Sequence, residues 1–170
     1  MILETKRLIL REWQASEWRE LARFLQDERV MSAYEGGFSD QEVQKWLAWN
    51  LQLYQDYGYG LWAIVRKSDN QVIGECGLTN QLIEGKSHLE IGYHLVFEEW
   101  HQGYAIEAAQ AVKAYAFDQL QVKRVCSTVR DTNLASLNVA IRNGMVIKKR
   151  FIKVYKGVTM PHYLLEVERK

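Results

Sequence analysis

The chain has 170 residues, of which 48% are hydrophobic, enough for one domain with a real core. Its 22 basic and 21 acidic residues leave a net charge of +1, which gives no support for a nucleic-acid binder working through phosphate neutralisation. No apolar run approaches the ~18 residues that span a membrane, and the charged N-terminus MILETKRLILREW is not a signal peptide.

Arg7–Arg11 alternates weakly and predicts a short first strand. Ser16 is placed to cap the next helix, with Glu17 and Glu20 in its first turn and Trp18, Leu21, Ala22 and Leu25 at helical spacing. Glu35–Ser39 reads as a loop. Ser39 and Glu42 then form a capping box, opening a helix to about Tyr57 whose stripe is Val43, Trp46, Leu47, Asn50, Leu51 and Tyr54. Gly58-Tyr59-Gly60 ends it. Leu61–Val65 and Gln71–Leu78, joined by the turn signal Ser68-Asp69-Asn70, predict a hairpin.

His88–Phe97 predicts the next strand, leading through Trp100-His101-Gln102-Gly103-Tyr104-Ala105 into a helix that runs to about Leu120. A helix begins with N–H groups that lack intrahelical partners, and the dipole adds positive charge there. Such a turn suits a phosphate or pyrophosphate, and small residues at Gly103 and Ala105 allow close approach. An ordinary strand-to-helix connection fits the spacing equally well. The pattern is neither the dinucleotide fingerprint nor a Walker loop. Arg124–Arg130 predicts a strand, Leu134–Asn143 a short helix with Gly144 at its αL exit, and Val146–Tyr155 and His162–Glu168 two last strands. No boundary, repeat or low-complexity tract divides the chain, so residues 1–170 read as a single domain with one mixed sheet and helices on both faces.

Lys148-Lys149-Arg150 reads as a solvated face. Cys76 and Cys126 have neither close spacing nor a histidine cluster, so no metal site is expected and a reduced, cytoplasmic location is. Both lie in apolar strand patterns, which favours inert burial over an acyl-cysteine.

In this order, several segments together resemble the GNAT family of acyl-CoA N-acyltransferases. Trp100–Ala105 resembles its acetyl-CoA motif, usually written Q/R-x-x-G-x-G/A, with the glycine and the small sixth residue kept and Trp in first place. Trp there is familiar in the RimJ/RimL-like branch, which includes ribosomal-protein N-acetyltransferases. The opening Leu3–Arg11, the hairpin segments Gly60–Ile64 and Ile73–Leu78, the strand Glu90-Ile91-Gly92-Tyr93-His94-Leu95, the helix start Asn133-Leu134-Ala135-Ser136 and the exit Asn143-Gly144-Met145 resemble the same branch. The resemblance covers nearly the whole chain. It implies an α/β (α+β) GNAT acyl-CoA N-acyltransferase fold, a mixed, mostly antiparallel sheet of about seven strands. It also implies direct acetyl transfer from acetyl-CoA to a primary amine in a ternary complex, without a metal.

By that resemblance, Leu95, Val96 and Phe97 lie beside the pantetheine, and the N–H groups of Gln102, Gly103, Tyr104, Ala105 and Ile106 receive the pyrophosphate. Asn133 hydrogen-bonds the pantetheine; as a residue at a helix start it is equally an N-cap, and both roles fit one amide side chain. Ser136 is the candidate proton donor to the leaving thiolate, against a plain first-turn serine.

Amine attack needs a neutral amine, so a base is sought. Glu90 is the candidate, acting through water, against pairing with the amine or a basic neighbour. His94 is the alternative base, against a structural strand histidine. In an alternating strand Glu90, Gly92 and His94 share one face. Tyr34, Phe38 and Trp62 are candidate walls of the acceptor site, and Glu35 reads first as a solvated loop residue and second as a contact of a cationic amine. The acceptor is a protein N-terminus or a small-molecule amine, and the protein a monomer or homodimer. The rival readings are a non-catalytic acyl-CoA-binding module and an N-acyltransferase using another acyl-CoA.

Overall fold

The computed structural model describes residues 1–170. Eight strands form one sheet: β1 (Leu3–Glu4), β2 (Leu8–Arg11), β3 (Leu61–Arg66), β4 (Gln71–Ile83), β5 (Lys86–Leu95), β6 (Arg124–Arg130), β7 (Val146–Tyr155) and β8 (Val158–Glu168), in the order β1-β2-β3-β4-β5-β6-β8-β7. Every neighbouring pair is antiparallel except β5 and β6. The helices are α1 (Trp18–Leu25), α2 (Glu28–Met31), α3 (Asp40–Tyr57), α4 (Tyr104–Asp118) and α5 (Leu134–Arg142). None is long and apolar enough to cross a membrane.

The expected capping box opens α3. Ser39 Oγ accepts from the Glu42 N–H, and Glu42 Oε1 accepts from the Ser39 N–H, each at 3.2 Å. Val43, Leu47, Asn50, Leu53 and Tyr54 are its buried residues. Asn50 is held for a reason other than packing: its Oδ1 accepts the Leu61 N–H at 2.9 Å, which fixes the entry of β3.

Three local expectations need correcting, and one segment adds an element. Ser16 does not cap α1; Glu17 occupies the N-cap position, with no side-chain cap bond. Its carboxylate is drawn back by Arg11 at 2.7 Å and the Gln14 N–H at 2.8 Å, which outcompetes local capping. The region before Gly36 holds the short α2, capped by Asp27, and a 3-10 turn at Ser32–Tyr34. β5 stops at Leu95: the Val96 N–H still bonds its β4 neighbour Ile73 O at 2.9 Å, and Phe97–Glu99 then coil into a 3-10 turn. The eighth strand is the two-residue β1, paired to β2 through Leu3 and Leu10 and too short to show a period.

Alternation along the strands sends side chains to opposite faces. Trp62, Cys76 and Tyr93 are cross-strand neighbours on one face. There Trp62 meets Tyr115 of α4 edge-on at 5.3 Å, and Tyr93 reaches α5. Glu75 and His94 point to the other face, toward Phe24 of α1 and Trp46 of α3. Leu8, Leu10, Leu21, Phe24, Leu25, Trp62, Ile64, Ile73, Leu78 and Ile91 are almost fully buried in the core. Each contributes roughly 1.5–3 kcal/mol of transfer free energy.

Candidate active site

The one parallel junction is where the sheet opens. β5 and β6 pair only at Glu90 and Cys126. Ser127 Oγ adds a bond to Ile91 O at 2.9 Å, and past that point the strands part. A cavity of about 440 Å³ occupies the gap and is walled from both faces of the sheet.

On one face, Asn133 caps α5 by accepting the Ser136 N–H on Oδ1 at 3.2 Å, and its amide nitrogen has no protein partner. Ser136 Oγ donates to Tyr93 Oη at 3.2 Å, and Tyr93 Oη donates to the Ser136 carbonyl at 2.8 Å. Burial first, with Glu90 adding, pushes the Tyr93 phenol well above its ordinary range despite the Ser136 bond, so it stays a proton donor. The reciprocal pair docks the first turn of α5 onto β5.

On the other face lie Glu90 and His94. Glu90 Oε2 accepts from both the N–H and the hydroxyl of Thr128. Burial raises the Glu90 carboxyl above the usual carboxylate range, against the lowering effect of Thr128 and Lys153. His94 Nδ1 lies 3.0 Å from Glu75 Oε1. Tyr34, Phe38, Trp46, Trp49 and Tyr155 complete this wall. Burial, reinforced by Glu90 and Glu75, keeps the Tyr34 phenol protonated far beyond neutral pH.

The turn before α4 closes the far end. His101 at φ 60° and Gly103 at φ 81° are both left-handed, a concave backbone that gathers N–H groups. The Glu107 N–H bonds Gly103 O, while Tyr104, Ala105 and Ile106 present first-turn N–H groups. Trp100 Nε1 donates to Leu95 O at 3.1 Å and so pins the turn to the end of β5. Arg7 braces it from outside, with Nη1 on Gln102 O at 2.9 Å and Nε on Glu107 Oε2 at 2.6 Å. Thr5 Oγ1 donates to Glu107 Oε1 at 2.6 Å.

Of the residues singled out from sequence, Glu90, His94, Leu95, Gly103, Tyr104, Ala105, Ile106, Asn133 and Ser136 line the cavity together. Val96, Phe97 and Gln102 do not. The Val96 N–H is spent on Ile73, Phe97 packs on Trp100 under the Arg29 guanidinium, and the Gln102 side chain turns to Glu98 and Glu99. Trp62 is fully buried in the core behind this site. Glu35 is engaged by Arg130 at 2.7 Å. Sequence reasoning missed Glu75, Thr128 and Tyr93. A carboxylate inside the apolar run Ile73–Leu78 was the available signal for Glu75.

A model of the acetyltransferase (GNAT) domain matches residues 7–146. The chain belongs to the GNAT acetyltransferase family. It is 33% identical to the uncharacterized protein YkkB of Bacillus subtilis (strain 168) over 134 residues, 79% of this chain and 78% of that one. Among solved structures, a GNAT-family acetyltransferase from Bacillus anthracis superposes with a TM-score of 0.81 at 21% identity, covering 98% of this chain and 97% of the other. RimL, a ribosomal L7/L12 alpha-N-protein acetyltransferase solved with coenzyme A, superposes with a TM-score of 0.79 at 20% identity, covering 98% and 97%. The chain thus has the GNAT fold, a mixed α/β sheet of eight strands with five helices, and is a GNAT-family N-acetyltransferase.

Proposed function

We propose that this chain transfers an acetyl group from acetyl-CoA directly to a primary amine, either a protein N-terminus or a small-molecule amine, acting as one domain over residues 1–170. The observation that carries the reading is the through-sheet cavity, with Ser136 and Asn133 on one face of β5 and Glu90 and His94 on the other. That separation gives thioester and amine different faces of one strand and a meeting point in the gap.

The residues present fit acetyl-CoA. The left-handed pair His101 and Gly103, with the N–H groups of Tyr104–Ile106, suits a pyrophosphate. The free edge of Gly92–Leu95 suits the amide-bearing pantetheine, with the Asn133 amide nitrogen as a further donor. Bound there, acetyl-CoA supplies the acyl group as a thioester. Ser136, backed by Tyr93, hydrogen-bonds or protonates the departing sulfur. The ammonium of the acceptor is drawn by Glu90 and by the aromatic walls, whose ring faces attract cations. Holding both reactants in one gap supplies much of the rate without a covalent enzyme intermediate. The two reduced, buried cysteines accord with a cytoplasmic setting.

The test is thiol release from acetyl-CoA against N-terminal peptides, polyamines, amino acids and aminoglycosides, with calorimetry for acetyl-CoA binding. Release that depends on one amine class is expected. Binding without release for any amine would favour a sensing module, and no binding would overturn the donor assignment.

A further inference from the structure

Glu75 is a fully buried carboxylate in the middle of β4, and such a group is retained only with partners. It has two. Trp46 Nε1 donates to its oxygens at 3.0 and 3.3 Å, and His94 Nδ1 meets Oε1 at 3.0 Å. Both atoms of the imidazole bond are set by rigid elements, since Glu75 and His94 are register partners on adjacent antiparallel strands. Phe24, Tyr34 and Trp46 surround the ring at centroid distances of 6.3, 5.4 and 6.0 Å. The ring therefore has one orientation. A carboxylate only accepts, so in the neutral imidazole Nδ1 is the protonated nitrogen and Nε2 the one with the lone pair. Nε2 makes no protein hydrogen bond and is not among the sealed, unpartnered atoms; it meets the cavity that His94 lines.

We propose that His94 Nε2 is the general base that takes the proton from the acceptor amine, and that Glu75 is the positioning residue that fixes its tautomer. The inference rests on the transferase reading above. Nε2 accepts one proton from the ammonium, directly or through a water, and the freed nitrogen lone pair forms the C–N bond as the C–S bond breaks. The sulfur leaves with the C–S electron pair and takes up the second amine proton on the Ser136 side, departing as the free thiol. The imidazolium so formed sits beside Glu75, which balances its charge, and the proton then leaves to solvent. Glu90, four residues away on the same face and already tied to Thr128, receives the ammonium before that transfer.

Two readouts test this. In the free protein, the ¹⁵N–¹H correlation spectrum of the His94 ring reports the tautomer without any substrate. Wild type is expected to show Nδ1–H with a bare Nε2. Glu75→Leu, which removes both acceptor oxygens at similar volume, is expected to shift the ring toward Nε2–H. His94→Gln is expected to lower kcat by about 10²–10⁴-fold with acetyl-CoA Kd unchanged. Glu75→Leu is expected to lower kcat about tenfold or more, because a wrongly protonated ring cannot accept. An Nε2–H ring in wild type overturns the proposal even if neither variant folds. So does a His94→Gln enzyme of unchanged kcat. Wild type with the expected tautomer but no turnover on any amine overturns the transferase reading and the base role with it, a failure the spectrum separates from a misplaced proton.

Discussion

Glu75 Oε1 and His94 Nδ1 stand 3.0 Å apart across β4 and β5, on the face of the sheet opposite the Tyr93–Ser136 pair. A single strand thus separates the two groups to which the proposed mechanism gives the proton transfers. The face proposed to receive the amine is built on β4, β5, α1 and α3, and the face proposed to receive the thioester on β5, α4 and α5.

Gly103 holds φ 81°, and a Cβ there would meet Arg7 Nη2 at 3.3 Å. Gly103→Ala carries a left-handed penalty of roughly 1–2 kcal/mol. Relaxing it disturbs the N–H groups of the turn, so calorimetry is expected to show acetyl-CoA Kd rising about tenfold. The KM of the amine should change little.

Glu107 gathers Thr5 Oγ1, the Arg7 N–H and Arg7 Nε onto one carboxylate. Glu107→Ala leaves those donors without their acceptor and is expected to cost about 1–3 kcal/mol. Thermal unfolding reads that as several degrees of Tm at this chain length. Arg7 also holds Gln102 O, so acetyl-CoA binding should weaken in parallel.

Ser136 and Tyr93 share two hydrogen bonds, so their contributions belong to a unit. Ser136→Ala and Tyr93→Phe are each expected to lower kcat by about 10² or more. The double variant should lose little beyond either single one, as groups acting together are not additive. Additive losses would show that the two act independently rather than as a unit.

Burial raises the Glu90 carboxyl above its ordinary value of 4.5. The folded protein then holds a proton that the unfolded chain has released, so stability falls as pH rises from that value through the raised one. The penalty is absent below the ordinary value and complete once the folded carboxyl ionises. Tm measured against pH should therefore decline less steeply over that window in Glu90→Gln than in wild type.

Much of this site was legible before folding because local chemistry fixed it. The small Gly103 at the head of α4, the Asn133 cap with Ser136 one turn on, and the shared face of Glu90 and His94 follow from turn chemistry and strand period. The Ser16 cap failed because Arg11, six residues before Glu17, pulled Glu17 back over the helix start. Phe97 and Val96 left the cavity because β5 ended two residues early.

The sequence by itself determined the family motifs, the near-neutral charge and most helix and strand positions, since periodicity, capping and glycine placement act within a few residues. Only the tertiary structure decided that Glu75 faces His94, that Thr128 holds Glu90, that Tyr93 holds Ser136, and that Thr5 and Arg7 brace the turn at Gly103. Those pairs lie 19, 38, 43 and about 100 residues apart along the chain. Their meeting depends on strand register and on the parting of β5 from β6, which no local pattern encodes.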